Sequence, residues 1–446
     1  MKTVAIIAEY NPFHKGHAYQ IAKAKALYGE DTAIVCIMSG PFVQRGEPAL
    51  ISKWLRATAA LRSGADLVLE LPFTFACASA ERFALGAVET LNHTGVITDL
   101  YFGAECDDLS LLCCLANEYD EENPMYVQAL QGFLREGHPY AKARELAITS
   151  VFENEGRSDL AEAAKRILHL PNSILALEYL IALRKTESSM KPTALLREGA
   201  GYLECDVNAP FASATAIRNV IRTELQSNRL SVSSLANQLQ GKLPDITLAL
   251  MLSEWQNGTL PVHPAMLARE QIMRIRTQSI SQLDQFAYMG DRLPGRLKNA
   301  VDRLRSIDLP ELHDTFRESV QTRRYAATRI NRALISVLIG HTQADIETLE
   351  HPEYIRVLGF SYRGRDVLRQ MRRSATLPII DKASDFADSG KHPAYKRMAE
   401  LDLNAVEFWN LYAGVPYGNE FEQQVIRLTR KETDARAILQ PGTAKL

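Results

Sequence analysis

The chain reads as an α/β protein: a parallel sheet covered on both faces, interrupted by a helical insertion and followed by a mostly α-helical C-terminal half. Three observations predict this. Short, nearly all-apolar runs alternate with helical stretches over the first hundred residues, the pattern of strands buried on both faces. Strand signals then stop at about residue 106 and return only at Pro192. Beyond residue 226 the periodicity is amphipathic and helical.

The elements follow in order. Val4 to Ala8 is a short apolar strand, broken by Asn11 and Pro12. A helical stretch, Ala18 to Leu27, comes next. Ala33 to Met38 is a second buried strand, ended by Ser39-Gly40-Pro41. Residues 51 to 63 are helical, with Gly64 as a stop. Asp66 to Leu71 is a third strand, closed by Pro72, and residues 79 to 92 form a helix followed by Gly95. Asp99 to Gly103 is a fourth strand. Residues 107 to 190 are mostly helical, with breaks at Asn123-Pro124, His138-Pro139 and Pro171, and with Glu118 to Glu122 as a solvated loop. Pro192 to Arg197 is a fifth strand. A helix from Ser213 buries Ala216, Ile217, Val220, Ile221 and Leu225. The expected domains are therefore residues 1–225, with the insertion at about 106–190, and residues 226–446. In the second, turn-rich pieces fall at Gln256 to Pro264 and Gly290 to Gly295, and the polar C-terminus is expected to be poorly ordered.

Bulk composition bounds the function. With 446 residues the chain suits two or three domains, and 46% hydrophobic with 23% charged residues is globular usage. A net charge of −2 does not advertise nucleic-acid binding by the chain as a whole, so local clusters carry that question. The six cysteines show no C-x-x-C spacing and read as reduced thiols of a cytoplasmic protein. Glu9 interrupts the apolar N-terminus before a signal-peptide core is complete, and no run of about 18 apolar residues exists to span a membrane.

The chemistry concentrates where the first strand meets its helix: His14, Gly16 and His17. Gly16 allows close backbone approach, a helix start attracts anions, and imidazoles at i and i+3 share one side of a first turn. Phosphates of a nucleotide fit such a place, beyond the carboxyl ends of parallel strands, where Gly40 and Gly103 also fall. A zinc pair is the weaker reading, because no third ligand follows at metal spacing. A second constellation is Ser213-Ala-Thr215-Ala-Ile-Arg218. Its hydroxyls cap a helix or, with the backbone amides and Arg218, hold a phosphate.

H-x-G-H followed much later by S-x-T-x-x-R resembles the Rossmann-like adenylyltransferase superfamily, to which class I aminoacyl-tRNA synthetases carry a related histidine motif. Ala8, Tyr10 and Asn11 stand where that superfamily usually has Gly, Phe and Asp. The strings Glu9-Tyr10-Asn11-Pro12-Phe13-His14, Met38-Ser39-Gly40 and Phe42-Val43-Gln44-Arg45-Gly46-Glu47-Pro48 resemble a narrower family, the bacterial tRNA(Met) cytidine acetate ligases. Pro171-Asn172, Arg197 to Tyr202 and Leu358-Gly359-Phe360 extend the resemblance over most of the chain.

The resemblance implies a Rossmann-like nucleotidyltransferase domain that activates acetate with ATP as acetyl-adenylate. The acetyl group then passes to N4 of the wobble cytidine of elongator tRNA(Met). It implies nucleotide contacts from Ile7, Ala8, Glu9, Tyr10, Asn11, Pro12, Phe13, His14, Lys15, Gly16, His17, Ala18, Tyr19 and Gln20, and from Gly103, Asn172, Arg197 and Glu198. His14 and His17 are the expected catalytic donors to the phosphates, and Ser213, Thr215 and Arg218 hold the leaving pyrophosphate. Mg²⁺ is expected to accompany ATP, with no metal motif of its own. Asn172 also reads as a helix cap, and Gln44 with Arg45 face either acetate or solvent. For tRNA, Gln321 to Arg373 carries ten arginines against five acids. Arg323, Arg324, Arg329, Arg332, Arg365, Arg369 and Arg372 are the expected contacts, with Tyr325 and Tyr362 nearby. No protein partner is inferred. Two readings compete: an adenylyltransferase of cofactor biosynthesis, and a non-catalytic RNA-binding protein that keeps a nucleotide pocket.

Overall fold

Strands that are apolar on both faces bury only in the middle of a sheet. The computed structural model describes residues 2–106, 108–118, 123–197, 212–226, 231–304, 309–322, 325–387 and 392–436. Its strands are β1 (Thr3–Ala8), β2 (Ala33–Ser39), β3 (Phe42–Val43), β4 (Glu47–Pro48), β5 (Leu67–Leu71), β6 (Asp99–Ala104), β7 (Lys191–Leu196), β8 (Ile355–Phe360), β9 (Ile379–Ile380) and β10 (Ile426–Arg427). β3 and β4 form a small antiparallel hairpin, and the rest build one sheet in the order β10-β8-β5-β2-β1-β6-β7, with β9 beside β8. β1 pairs in parallel with β2 on one side and β6 on the other, so the strand order reverses at β1/β6. Such a switch point opens a crevice at the carboxyl ends of the strands.

The five strands expected from the sequence are β1, β2, β5, β6 and β7, all mutually parallel. Helices Lys15–Tyr28, Lys53–Arg62 and Ala80–Thr94 connect the first four. Among the described residues, five helices between Leu109 and Lys185 form the insertion. No helix among the described residues is long and apolar enough to cross a membrane. Of the cysteines, Cys36, Cys77, Cys106, Cys113 and Cys114 are free thiols.

The boundary drawn at residue 225 is crossed by the sheet. β8 lies antiparallel against β5, and β9 and β10 extend it, all from the C-terminal half. The apolar run of β8 is punctuated by Arg356, which hides it as a strand. That guanidinium is fully buried, bonded to Glu420 and flanked by the rings of Trp54 and Phe386. The helix Pro393–Ala413 sends Tyr395, Met398 and Leu401 into the same core as Phe73, Phe75 and Leu69. Residues between 275 and 337 make a separate helical core, and the helix Ala214–Gln226 packs with Leu235, Met251 and Trp255 in another. The C-terminal half is thus mainly helical, but its last part belongs to the sheet.

Candidate functional site: a cleft at the ends of strands β1, β6 and β7

β1 ends at Ala8, and the next six residues turn into the helix Lys15–Tyr28. His14 is the N-cap. Its Nδ1 accepts from the Gly16 amide at 3.1 Å, and its own amide donates to His17 Nδ1 at 3.2 Å. The two rings stack, 3.8 Å between centroids. Gly16 is needed here for space: a Cβ on it would lie 2.9 Å from His14 Cε1. Burial, with Arg197 and Arg218 nearby, drives the His14 pKa down to about 3, and burial with His14 lowers that of His17 well below its usual value. Both imidazoles are therefore neutral at neutral pH. Because each Nδ1 is an acceptor, each proton sits on Nε2. The site presents two fixed N–H donors that carry no full charge.

The donors border a cleft lined by His14, Gly16, His17, Tyr19, Gln20, Gly103, Leu195, Leu196, Arg197, Ala212 and Ser213. Gln20 is anchored on the Tyr101 carbonyl at 3.4 Å. Arg197 follows β7 and lies over Gly103, where a Cβ would come within 3.2 Å of its Cγ. Ser213 Oγ accepts from the Ala216 amide at 3.1 Å and caps the helix Ala214–Gln226. Thr215 Oγ1 accepts from Arg218 Nη2 at 3.2 Å, while Arg218 Nη1 donates to the Asn11 carbonyl at 2.8 Å. The two sequence constellations, two hundred residues apart, thus meet through one guanidinium.

The remaining expected nucleotide residues support the cleft. Ile7 and Ala8 finish β1. Tyr10 and Phe13 are buried, pack against each other and against the His17 ring, and Tyr10 donates to Cys36 Sγ. Asn11 Oδ1 accepts from the Leu50 amide at 2.8 Å. Pro12 is buried in the turn, Lys15 opens the helix half-buried, and Ala18 belongs to the core beneath it. Glu9 accepts from the Gln44 amide at 3.0 Å; burial raises its pKa against the pull of Arg218 and Arg45. Asn172 is the second residue of the helix Pro171–Lys185 rather than its cap, and its amide side chain donates to Glu105 Oε1 at 2.5 Å. Glu198 lies outside the described residues.

Two supporting side chains escaped the sequence reading because their contacts are long-range. Arg56, fully buried, donates to the carbonyls of Glu9, Ser39, Gly40 and Ile51, tying the ends of β1 and β2 together. Glu105 places its carboxylate on the amides of Asn172 and Ser173, a charge suited to a helix N-terminus.

The expected RNA arginines divide. Arg323 and Arg324 lie outside the described residues. Arg329 is held by Asp291 at 2.7 Å and by the Gly290 carbonyl, and Arg332 by the Gln44 carbonyl and the Tyr288 ring. The backbone of Arg332 also meets Gly46, whose φ of +73° and 2.4 Å clearance for a Cβ admit only glycine. Arg365, Arg369 and Arg372 are exposed on the helix Gly364–Ser374. β8 runs opposite to β5, so this helix begins at the other edge of the sheet from the cleft, about 20 Å away by strand rise. Tyr362 sits there between Arg365 and Arg430.

Residues 1–424 match the HIGH Nucleotidyl Transferase family. A tRNA(Met) cytidine acetate ligase of Acetivibrio thermocellus is 35% identical over 433 residues, 96% of this chain and 100% of that protein. The chain belongs to this family. A Thermoanaerobacter tRNA(Met) cytidine acetate ligase is 34% identical over 412 residues, 92% of this chain and 95% of its own. Among solved structures, Thermotoga maritima TmcAL without ligand superposes with a TM-score of 0.87 at 30% identity, covering 96% of this chain and all of that one. The same protein bound with alpha-thio ATP gives 0.85. The fold of this HIGH nucleotidyl transferase is therefore that of TmcAL, with a helical C-terminal region.

Proposed function

We propose that this chain is the ATP-dependent ligase that forms N4-acetylcytidine at the wobble position of elongator tRNA(Met), releasing AMP and pyrophosphate. The observation that carries the reading is the pair of neutral Nε2–H donors bordering a cleft at the β1/β6 switch point. They form on a chain 35% identical to a tRNA(Met) cytidine acetate ligase over that relative's whole length.

The cytosine amine is conjugated with its ring and nucleophilically weak, so it needs a strongly activated acyl donor. In the first step an acetate oxygen attacks the α-phosphorus of ATP and pyrophosphate leaves. Negative charge grows on the phosphate oxygens, and preorganised donors stabilise it without moving. His14 and His17 supply those donors. Arg197 contributes charge over Gly103, and Ser213, Thr215 and Arg218 hold the departing pyrophosphate. Mg²⁺ belongs to this proposal as a companion of ATP, screening its phosphates. Among the described residues no group of three or more His, Cys, Asp or Glu side chains is placed to hold a metal, so the phosphate oxygens would be its ligands. The exposed arginines 365, 369 and 372 are proposed to meet the tRNA backbone, and the compartment is proposed to be the cytoplasm.

The test offers the pure protein unmodified elongator tRNA(Met) with either labelled acetate and ATP, or labelled acetyl-CoA alone. Label should enter RNA from acetate and ATP, with AMP and pyrophosphate in equal yield. Entry from acetyl-CoA alone would sink the ligase reading, because the phosphate-binding pair would then have no task.

A further inference from the structure

Beside the ATP cleft lies a second polar cluster that the adenylation step leaves unused. Arg222 is one turn beyond Arg218 on the helix Ala214–Gln226, about 6 Å along its axis. It donates to Asp314 Oδ2 at 2.9 Å. The other oxygen of Asp314 meets His313 Nδ1 at 3.0 Å, on the helix Leu309–Val320. The turn Pro264–Leu267 packs against that helix, and its N-cap is His263, whose Nδ1 accepts from the Ala265 amide at 3.2 Å and whose ring lies within electrostatic reach of His313.

These contacts set opposite tautomers. A carboxylate on Nδ1 forces the His313 proton onto Nδ1 and leaves a lone pair at Nε2. A backbone amide on Nδ1 forces the His263 proton onto Nε2. Neither Nε2 has a hydrogen-bond partner among the described residues. One ring thus offers an acceptor and the other a donor. The pairing edge of cytosine presents the reverse, an N4–H donor next to the N3 acceptor, whereas uracil presents O4 and N3–H.

We infer that His263 and His313 receive the cytosine edge: His263 Nε2–H donates to N3, and His313 Nε2 takes the proton that N4 releases on acetylation. This rests on the ligase reading above. In the step, the N4 lone pair forms the bond to the acetyl carbon. The bond from that carbon to the phosphate oxygen breaks, with its electron pair leaving on AMP, and the N4 proton passes to His313 and on to solvent. Once N4 is bonded to the acetyl carbon its proton is acidic, so a neutral imidazole suffices as base. Burial, aided by Arg317, lowers the His313 pKa against the pull of Asp314 and Glu47. Burial with Arg222, His313 and Arg218 takes that of His263 down to about 3, so both rings are uncharged when RNA arrives.

The experiment compares two half-reactions in the full-length protein: acetate-dependent ATP–pyrophosphate exchange without tRNA, and single-turnover acetyl transfer to tRNA from preformed adenylate. His313→Gln and Asp314→Asn should each lower the ratio of transfer to exchange by about 10²-fold. The acid limb of the transfer rate, which lies below pH 6.5 in the parent, should vanish in His313→Gln. His263→Gln, which keeps an N–H donor, should transfer faster than His263→Leu. A transfer-to-exchange ratio equal to the parent's in both His313→Gln and Asp314→Asn overturns the assignment, whether the two rates hold or fall together. Absence of exchange in the parent protein would instead reject the ligase reading itself.

Discussion

At the residue scale, the site depends on two rings held in one protonation state by backbone contacts. His17→Ala removes one Nε2–H donor and should cut acetate-dependent exchange by roughly 10²-fold, as for loss of one oxyanion-type donor. Gly16→Ala should do comparable damage without touching a polar atom, because its Cβ would strike His14 Cε1 at 2.9 Å and push that ring off its stack with His17. Near-parental exchange in both variants would remove the stacked pair from the mechanism. The histidines were legible in the sequence because the motif is local: strand end, turn, N-cap and helix start lie within fourteen residues. Arg56, Glu105 and His313 were not, since a single Arg, Glu or His in a helix or loop carries no signal until a distant partner is seen. Asn172 shows the middle case: its place at a helix start was readable, but its partner, Glu105, was not.

At the element scale, the strands that are apolar on both faces were recovered within a residue or two, because burial on both faces leaves an unbroken apolar run. β8 was missed because Arg356 stands in it and an arginine-rich helix follows. The fold absorbs that arginine in a buried charge cluster. Lys53 meets Glu70 and Glu420 at 2.8 Å each, Arg356 meets Glu420 at 3.4 Å, and Trp54 Nε1 donates to Glu420 at 3.0 Å. Burial works against the Lys53 ammonium, but Glu420 and Glu70 outweigh it and keep its pKa above the usual value. Glu420 arrives on the short helix Asn419–Glu422, so this cluster fastens the C-terminal segment to the β5 side of the sheet. Glu420→Gln leaves two buried cations short of one anion and should cost about 3–5 kcal/mol. A denaturant midpoint unchanged by this substitution would refute the clamp. The arginines contrast with it. Charge reversal at Arg365, Arg369 and Arg372, all exposed, should weaken tRNA binding and flatten its salt dependence while leaving the melting temperature near the parent's. Reversal at Arg332, packed on Tyr288 and the Gln44 carbonyl, should lower the melting temperature instead.

At the scale of the whole molecule, the fold buries neutral histidines at three separate junctions, and this sets its response to acid. His14 caps the helix Lys15–Tyr28 at the end of the β1 turn. His263 caps the turn Pro264–Leu267, which packs on the helix Leu309–Val320. His341, fully buried, meets Thr74 Oγ1 at 3.3 Å where the helix Ala327–Ile339 ends against the helix Phe73–Ala76. Burial takes the pKa of His14, His263 and His341 to about 3 in each case, against an ordinary 6.5. The unfolded chain therefore binds more protons than the folded one between pH 6.5 and 3, and stability must fall as pH falls through that window. Each such ring contributes a slope of up to about 1.4 kcal/mol per pH unit. Asp402 acts in the opposite sense. Burial and Glu70 raise its pKa to about 7, so its contribution is present in acid and is lost as pH rises through 7. A single-site comparison separates the two. His341→Gln preserves a polar group toward Thr74 but cannot titrate, so its melting temperature should depend less steeply on pH than the parent's between pH 6.5 and 4, with the two proteins diverging as acid is added. Parallel curves over that range would mean that His341 is protonated in the folded protein, and that the junction it occupies is open to water.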